Sequence, residues 1–118
     1  MDFDEYQFES MRTAGHPDQW GMHLPPRDAQ LLCGALGLSG EAGEFADAVK
    51  KMFFHKKPIS DDVLMKEAGD CLWYISLICD AKGWTISDVA SRNIEKLKLR
   101  YPDGFSHEAA NAPRPVES

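Results

Sequence analysis

The chain has no CxxC pair, no excess of positive charge, and no apolar run near the ~20 residues that a membrane span requires. Each absence removes a class of function. The three cysteines, Cys33, Cys71 and Cys79, are odd in number and sit in apolar runs, so they suggest neither a zinc knuckle nor a disulfide framework. They read as buried free thiols in a reducing compartment. The acidic start, Met1-Asp2-Phe3-Asp4-Glu5, lacks the basic-then-apolar order of a secretory leader, and the expectation is a cytoplasmic protein without a membrane partner. A net charge of −6 argues against nucleic acid as the main partner, because neutralising phosphates needs a positive face. It leaves a small anionic ligand open, since bound cations reverse the local field. The histidines His16, His23, His55 and His107 never fall three residues after a Glu, which removes the ferritin-like di-iron bundle.

What is present is helical. The 118 residues make one small domain, and 43% hydrophobic residues suffice for a core. A first helix is expected from Phe3 to Ala14, opened by Asp2, Asp4 and Glu5 and stopped at Gly15-His16-Pro17. A loop carrying Trp20 and His23 leads to a second helix from about Asp28 to Phe54. Ser60 caps a third, with Asp61 and Asp62 in its first turn and Gly83 at its end. Thr85-Ile86-Ser87-Asp88 has capping-box spacing for a fourth, lasting to Arg100. No segment makes a convincing strand. The expectation is an all-α, four-helix bundle-like domain over residues 1–106, with an irregular tail over 107–118. So small a helical chain often completes its burial by oligomerising.

Gly34, Gly37, Gly40 and Gly43 recur every third residue in the second helix, each costing roughly 1 kcal/mol against Ala. Close backbone approach by another helix or by a ligand would explain them. The alternative is a kinked or later-starting helix.

Glu41 and Glu44 are three apart in the second helix, and Glu67 and Asp70 three apart in the third, so each couple shares a face. Spacing alone is weak in an acidic chain, where Asp2/Glu5 and Glu44/Asp47 repeat it. Environment adds more. At ~100° per residue, Glu41 and Glu44 fall on a stripe with Gly37, Leu38 and Phe45, and Glu67 and Asp70 on one with Tyr74 and Ile78. The third helix is apolar nearly all round from Cys71 to Cys79, so it should be central. Facing carboxylates in an apolar groove need compensation. Arg27, Lys50, Lys51 or Lys66 could supply it as salt bridges, or a hard divalent cation could. Oxygen ligands favour Mg²⁺ or Mn²⁺, and Mg²⁺ keeps positions for water and phosphate. Spacing does not choose between these readings.

The runs Leu36-Gly-Leu-Ser-Gly-Glu41-Ala-Gly-Glu44, Ala48-Val-Lys-Lys51, Lys66-Glu67-Ala-Gly-Asp70-Cys-Leu-Trp-Tyr74 and Asn93-Ile-Glu-Lys96-Leu-Lys-Leu-Arg100-Tyr101-Pro102-Asp-Gly-Phe105 together resemble the MazG-like nucleoside triphosphate pyrophosphohydrolases. The resemblance covers about residues 3–106 and lies in the E-x-x-E…E-x-x-D order rather than in either short motif. It implies a helical bundle that forms a homodimer or homotetramer. It further implies Mg²⁺ held by Glu41, Glu44, Glu67 and Asp70 while water attacks the α-phosphorus, giving monophosphate and pyrophosphate. The base remains open, because relatives differ in substrate.

Further candidates follow. Asn93, Lys96 and Arg100 lie at i, i+3 and i+7, and with Lys51 could contact phosphates; their plain alternative is an amphipathic edge with snorkelling side chains. Tyr74 and Trp73 could form a stacking wall for the base, with Trp20 and His23 as weaker contributors; core packing is the competing reading. Two other functions stay open at this point. One is a non-catalytic helical adaptor, and the other is a hydrolase of another pyrophosphate-containing molecule such as a guanosine alarmone.

Overall fold

The computed structural model describes residues 1–15 and 23–114, and its regular structure there is all helix: α1 (Phe3–Met11), α2 (Pro26–Phe54), α3 (Asp61–Lys82), α4 (Ile86–Arg100) and α5 (His107–Asn111). The chain divides into two compact units, Met1–Ile86 and Ser87–Ser118. No helix among the described residues is long and apolar enough to cross a membrane.

The caps explain the boundaries. At α1, the Asp2 carboxylate accepts from the Glu5 amide at 2.9 Å while Glu5 accepts from the Asp2 amide at 3.4 Å, a reciprocal box that satisfies two orphan donors. The helix stops at Met11 rather than Ala14, because the Thr13 and Ala14 amides tighten onto Ser10 and Met11 carbonyls at 3.1 and 3.2 Å. The second helix begins at Pro26, two residues before the expected Asp28, since proline at the first position is already set to a helical φ and loses no bonded amide. Ser60 caps α3 through the Val63 amide, as expected. Gly83 ends it at φ 71°, and the Trp84 amide reaches the Cys79 carbonyl at 2.9 Å, a closure that satisfies terminal carbonyls.

Within the first unit, α2 and α3 form an antiparallel pair. Gly34 meets Ile78 and Gly37 meets Tyr74, so rising numbers on one helix oppose falling numbers on the other. An added Cβ at Gly34 would lie 2.6 Å from Ile78 Cγ1, and one at Gly37 would fall inside the Tyr74 ring. Close approach therefore accounts for these two glycines. Gly40 and Gly43 have nothing within 4 Å of an added Cβ and need another explanation.

The centre of the unit is α3, as its apolar run implied. It packs against both α2 and α1, and it supplies the buried Ser76, Leu77 and Cys79, beside Ala29 and Ile86. The far end of the pair is locked by Gln30, 3% exposed, which donates to the Leu77 carbonyl at 3.0 Å and to Asp80 at 2.7 Å. Arg27 donates to both Gln30 and Asp80, so this polar cluster is satisfied.

In the second unit the tail is not wholly irregular. Ser106 accepts from the Ala109 amide at 3.0 Å and starts the five-residue α5. Five residues are too few for a periodicity signal, so only the cap could have announced it. Gly104, at φ 85°, makes the preceding turn, and the Phe105 ring lies between Tyr101 and His107.

Candidate active site

Beyond the Gly37–Tyr74 contact, the antiparallel pair carries Glu41 of α2 toward Glu67 and Asp70 of α3. One carboxylate oxygen from each of the three lies within 4.8 Å of the others. Glu44, one turn along, is exposed, and its charge is the largest of those that raise Glu41. Three of the four expected acids thus converge, and the fourth borders them.

Their electrostatics are uncompensated by the cations that might have quenched them. Arg27 pairs with Asp80 at 2.9 Å, Lys51 with Asp47 at 2.8 Å, and Lys66 with Asp62 at 2.9 Å. Lys50 also leans on Asp47, at 4.0 Å. Oε2 of Glu41 and Oε2 of Glu67 are buried without a hydrogen-bond partner. Burial, then the charges of Glu44 and Asp70, the Glu44 hydrogen bond and the charge of Glu67, raise the Glu41 carboxyl above its ordinary range. A hard divalent cation fits this donor set. It is all oxygen, its charges repel one another, and two of its atoms lack any partner.

The aromatic candidates separate. Tyr74 rests over Gly37 next to the acids. Burial raises its hydroxyl most, with Cys33, Glu41, Asp70 and Glu44 adding to the shift. Trp73 meets Tyr74 edge-on at 5.0 Å, and its indole N–H donates to Thr13 at 2.8 Å, which ties it to the end of α1. His23 is exposed ahead of α2, and Trp20 lies outside the described residues.

A groove of about 450 Å³ borders the acids on the other side, lined by Gly40, Gly43, Glu44, Asp47, Lys51 and Glu67 among others. Lys51 lines this groove, and its ammonium is engaged by Asp47. That contact lowers the Asp47 carboxyl and raises the Lys51 amine.

The residues from α4 belong to the second unit. Asn93 and Lys96 are exposed. Arg100 is half-buried, donates to the Ala110 carbonyl at 3.1 Å and lies 5.4 Å from the Tyr101 ring centre, which holds the tail. Its expected phosphate contact gains no support from this placement.

Sequence reasoning passed over Tyr6. Its hydroxyl donates to the Gly69 carbonyl at 3.5 Å, and burial together with the charge of Asp70 raises it. The available signal was a stripe, since Tyr6 and Ser10 lie four apart on one face of α1.

An all-helical protein with an acidic seam between two antiparallel helices is the class these features define. The chain belongs to the MazG nucleotide pyrophosphohydrolase domain family, whose model matches residues 33–105. The Gene 37 protein of Mycobacterium phage L5 is 37% identical over 108 residues, covering 88% of this chain and 92% of that protein. No solved structure matches the chain significantly. The family supports a nucleotide pyrophosphohydrolase and generally uses divalent metals.

Proposed function

We propose that the protein hydrolyses a nucleoside triphosphate, of the deoxy series by preference, to the monophosphate and pyrophosphate. One observation carries this reading. Three carboxylates meet with two buried oxygens unpartnered, while Arg27, Lys51 and Lys66 are paired with other acids. An adaptor with no chemistry to perform has no use for such an arrangement, because burying unpaired charge costs stability.

Glu41, Glu67 and Asp70, with Glu44 beside them, would hold Mg²⁺, for which Mn²⁺ could substitute. When bound, the ion neutralises phosphate charge and makes a water acidic. Glu44, exposed next to Glu41, orients the attacking water. The water's oxygen bonds to the α-phosphorus as its proton passes to Glu44, the bond from that phosphorus to the α–β bridging oxygen breaks, and the electron pair leaves on pyrophosphate. Tyr74, with Trp73 behind it, offers the base a face, and Lys51 faces the phosphates. Asn93 and Lys96 remain phosphate candidates on spacing alone, and Arg100 is assigned to holding the tail.

A second copy completes the molecule as a homodimer, or a tetramer of two such pairs. Support comes from apolar side chains left open on the helices, with Leu36 66%, Met65 72%, Phe53 73% and Phe54 81% exposed. Free thiols at Cys33, Cys71 and Cys79 suit a reducing, cytoplasmic setting.

Incubation with each ribo- and deoxynucleoside triphosphate and Mg²⁺, resolving products by chromatography, tests the bond assignment. Monophosphate plus pyrophosphate is expected. Diphosphate plus orthophosphate refutes it, and cleavage confined to a diphosphate or an alarmone moves the substrate class.

A further inference from the structure

The seam between α2 and α3 has a chemical direction. Following α2 from its start, Gly37 lies under the Tyr74 ring, Glu41 meets Glu67 and Asp70, and the groove begins beside them at Gly40 and continues through Gly43 to Lys51. One end of the acidic centre is aromatic and the other is cationic.

The cationic end contains a lysine that no helical periodicity selects. After Phe54 the chain reverses. Lys56 takes the left-handed conformation at φ 51°, and the Lys57 amide returns to the Lys51 carbonyl at 3.1 Å. That reversal sets Lys57 in the wall of the same groove as Lys51, Glu44 and Glu67. A non-glycine residue in this region costs roughly 1–2 kcal/mol, so the turn is held by its surroundings rather than by local preference. Lys51 is neutralised by Asp47, whereas Lys57 has no carboxylate partner among the described residues. Across the groove, an added Cβ at Gly40 or Gly43 would meet nothing within 4 Å. These glycines leave bare helix backbone facing open space, where a bulky anion can approach closely.

We infer that Lys57 binds the terminal two phosphates of the substrate, so that nucleotides lie along the seam with the base toward Tyr74 and the departing pyrophosphate toward Lys57. The inference rests on the reading of the acidic seam as a nucleotide-hydrolysing site, and it adds the polarity of the substrate and a residue that favours triphosphates over shorter chains. A lysine ammonium suits this position because it meets phosphate oxygens as a point charge without demanding one planar geometry.

Calorimetric titration separates the two ends. Inorganic pyrophosphate with Mg²⁺, and separately a nucleoside monophosphate with Mg²⁺, are titrated into the wild-type chain, Lys57→Ala and Lys50→Ala. Lys57→Ala keeps the backbone bond to Lys51 and should retain its circular dichroism spectrum. It should weaken pyrophosphate about tenfold, as expected for one charge-assisted contact, and leave the monophosphate unchanged. Lys50→Ala should change neither. Wild-type pyrophosphate affinity in Lys57→Ala overturns the inference, as does equal weakening of both ligands, equal loss in Lys50→Ala, or no pyrophosphate binding by the wild type. The hydrolytic reading fails separately: a wild-type chain that binds pyrophosphate through Lys57 but releases no monophosphate from any triphosphate retains the anion site and loses the reaction.

Discussion

The α2–α3 seam and the α4–α5 unit both carry charged side chains on amphipathic helices, yet they arrange that charge differently. At the seam, Glu41 and Glu67 bury oxygens with no partner and acids crowd together. In the second unit Arg100 turns its guanidinium onto its own tail, with a carbonyl at 3.1 Å and an aromatic ring beside it. The first arrangement sets three acids against one another with no cation between them, whereas the second already has a structural contact through one guanidinium nitrogen, its Nε alone being buried without a partner. Convergence of like charges, more than an unpartnered atom alone, therefore separates a site from an ordinary amphipathic face.

The largest expected effect breaks the seam. Glu67→Gln should reduce pyrophosphate release by at least about 100-fold, because cation-mediated charge stabilisation is worth several kcal/mol. Its circular dichroism spectrum should remain helical, and full turnover in this variant would remove Glu67 from the site. Arg100→Ala sharpens the other side of the comparison. It should lower unfolding stability by about 2 kcal/mol, as for a lost hydrogen bond from a charged group, and leave kcat unchanged; a large fall in kcat with unaltered melting would return Arg100 to the phosphates.

Smaller effects divide the glycines. Gly37→Ala should cost about 1–3 kcal/mol in chemical denaturation, since the methyl overpacks against the Tyr74 ring. Gly40→Ala meets nothing within 4 Å and should raise stability by up to about 1 kcal/mol through helix propensity. Equal behaviour of the two would contradict the close-approach account of Gly37.

The smallest effect concerns pH. Glu41 is raised above its ordinary value of 4.5, so the metal-free fold prefers the protonated acid. The stability this contributes is fully present below the ordinary value and is lost as pH rises through the raised one. In chelator, melting of the wild type should therefore fall relative to Glu41→Gln as pH rises, and added Mg²⁺ should restore only the wild type. Parallel melting curves for both proteins at every pH would show that Glu41 is not raised.

Much of this arrangement is readable in the sequence. Ser60 and Gly83 mark the ends of α3, and the three-residue spacing puts each acidic couple on one face. The glycine register was half legible, because sequence shows that Gly34 and Gly37 are small but not which helix fills the space. Lys57 was invisible, since its position depends on a left-handed lysine where propensity would ask for glycine. Tyr6 was missed because it reaches Gly69 across 63 residues, a separation that helical periodicity does not encode. Arg100 shows the same limit of spacing: an i+7 cation looks alike whether it meets a phosphate or a carbonyl.

Direct binding of a divalent ion is the sharpest test. In an electron paramagnetic resonance titration, the wild-type chain should sequester Mn²⁺ at a saturable site that Mg²⁺ empties, and Glu67→Gln should lose that binding while staying folded. Identical Mn²⁺ titrations for the two proteins would contradict the account.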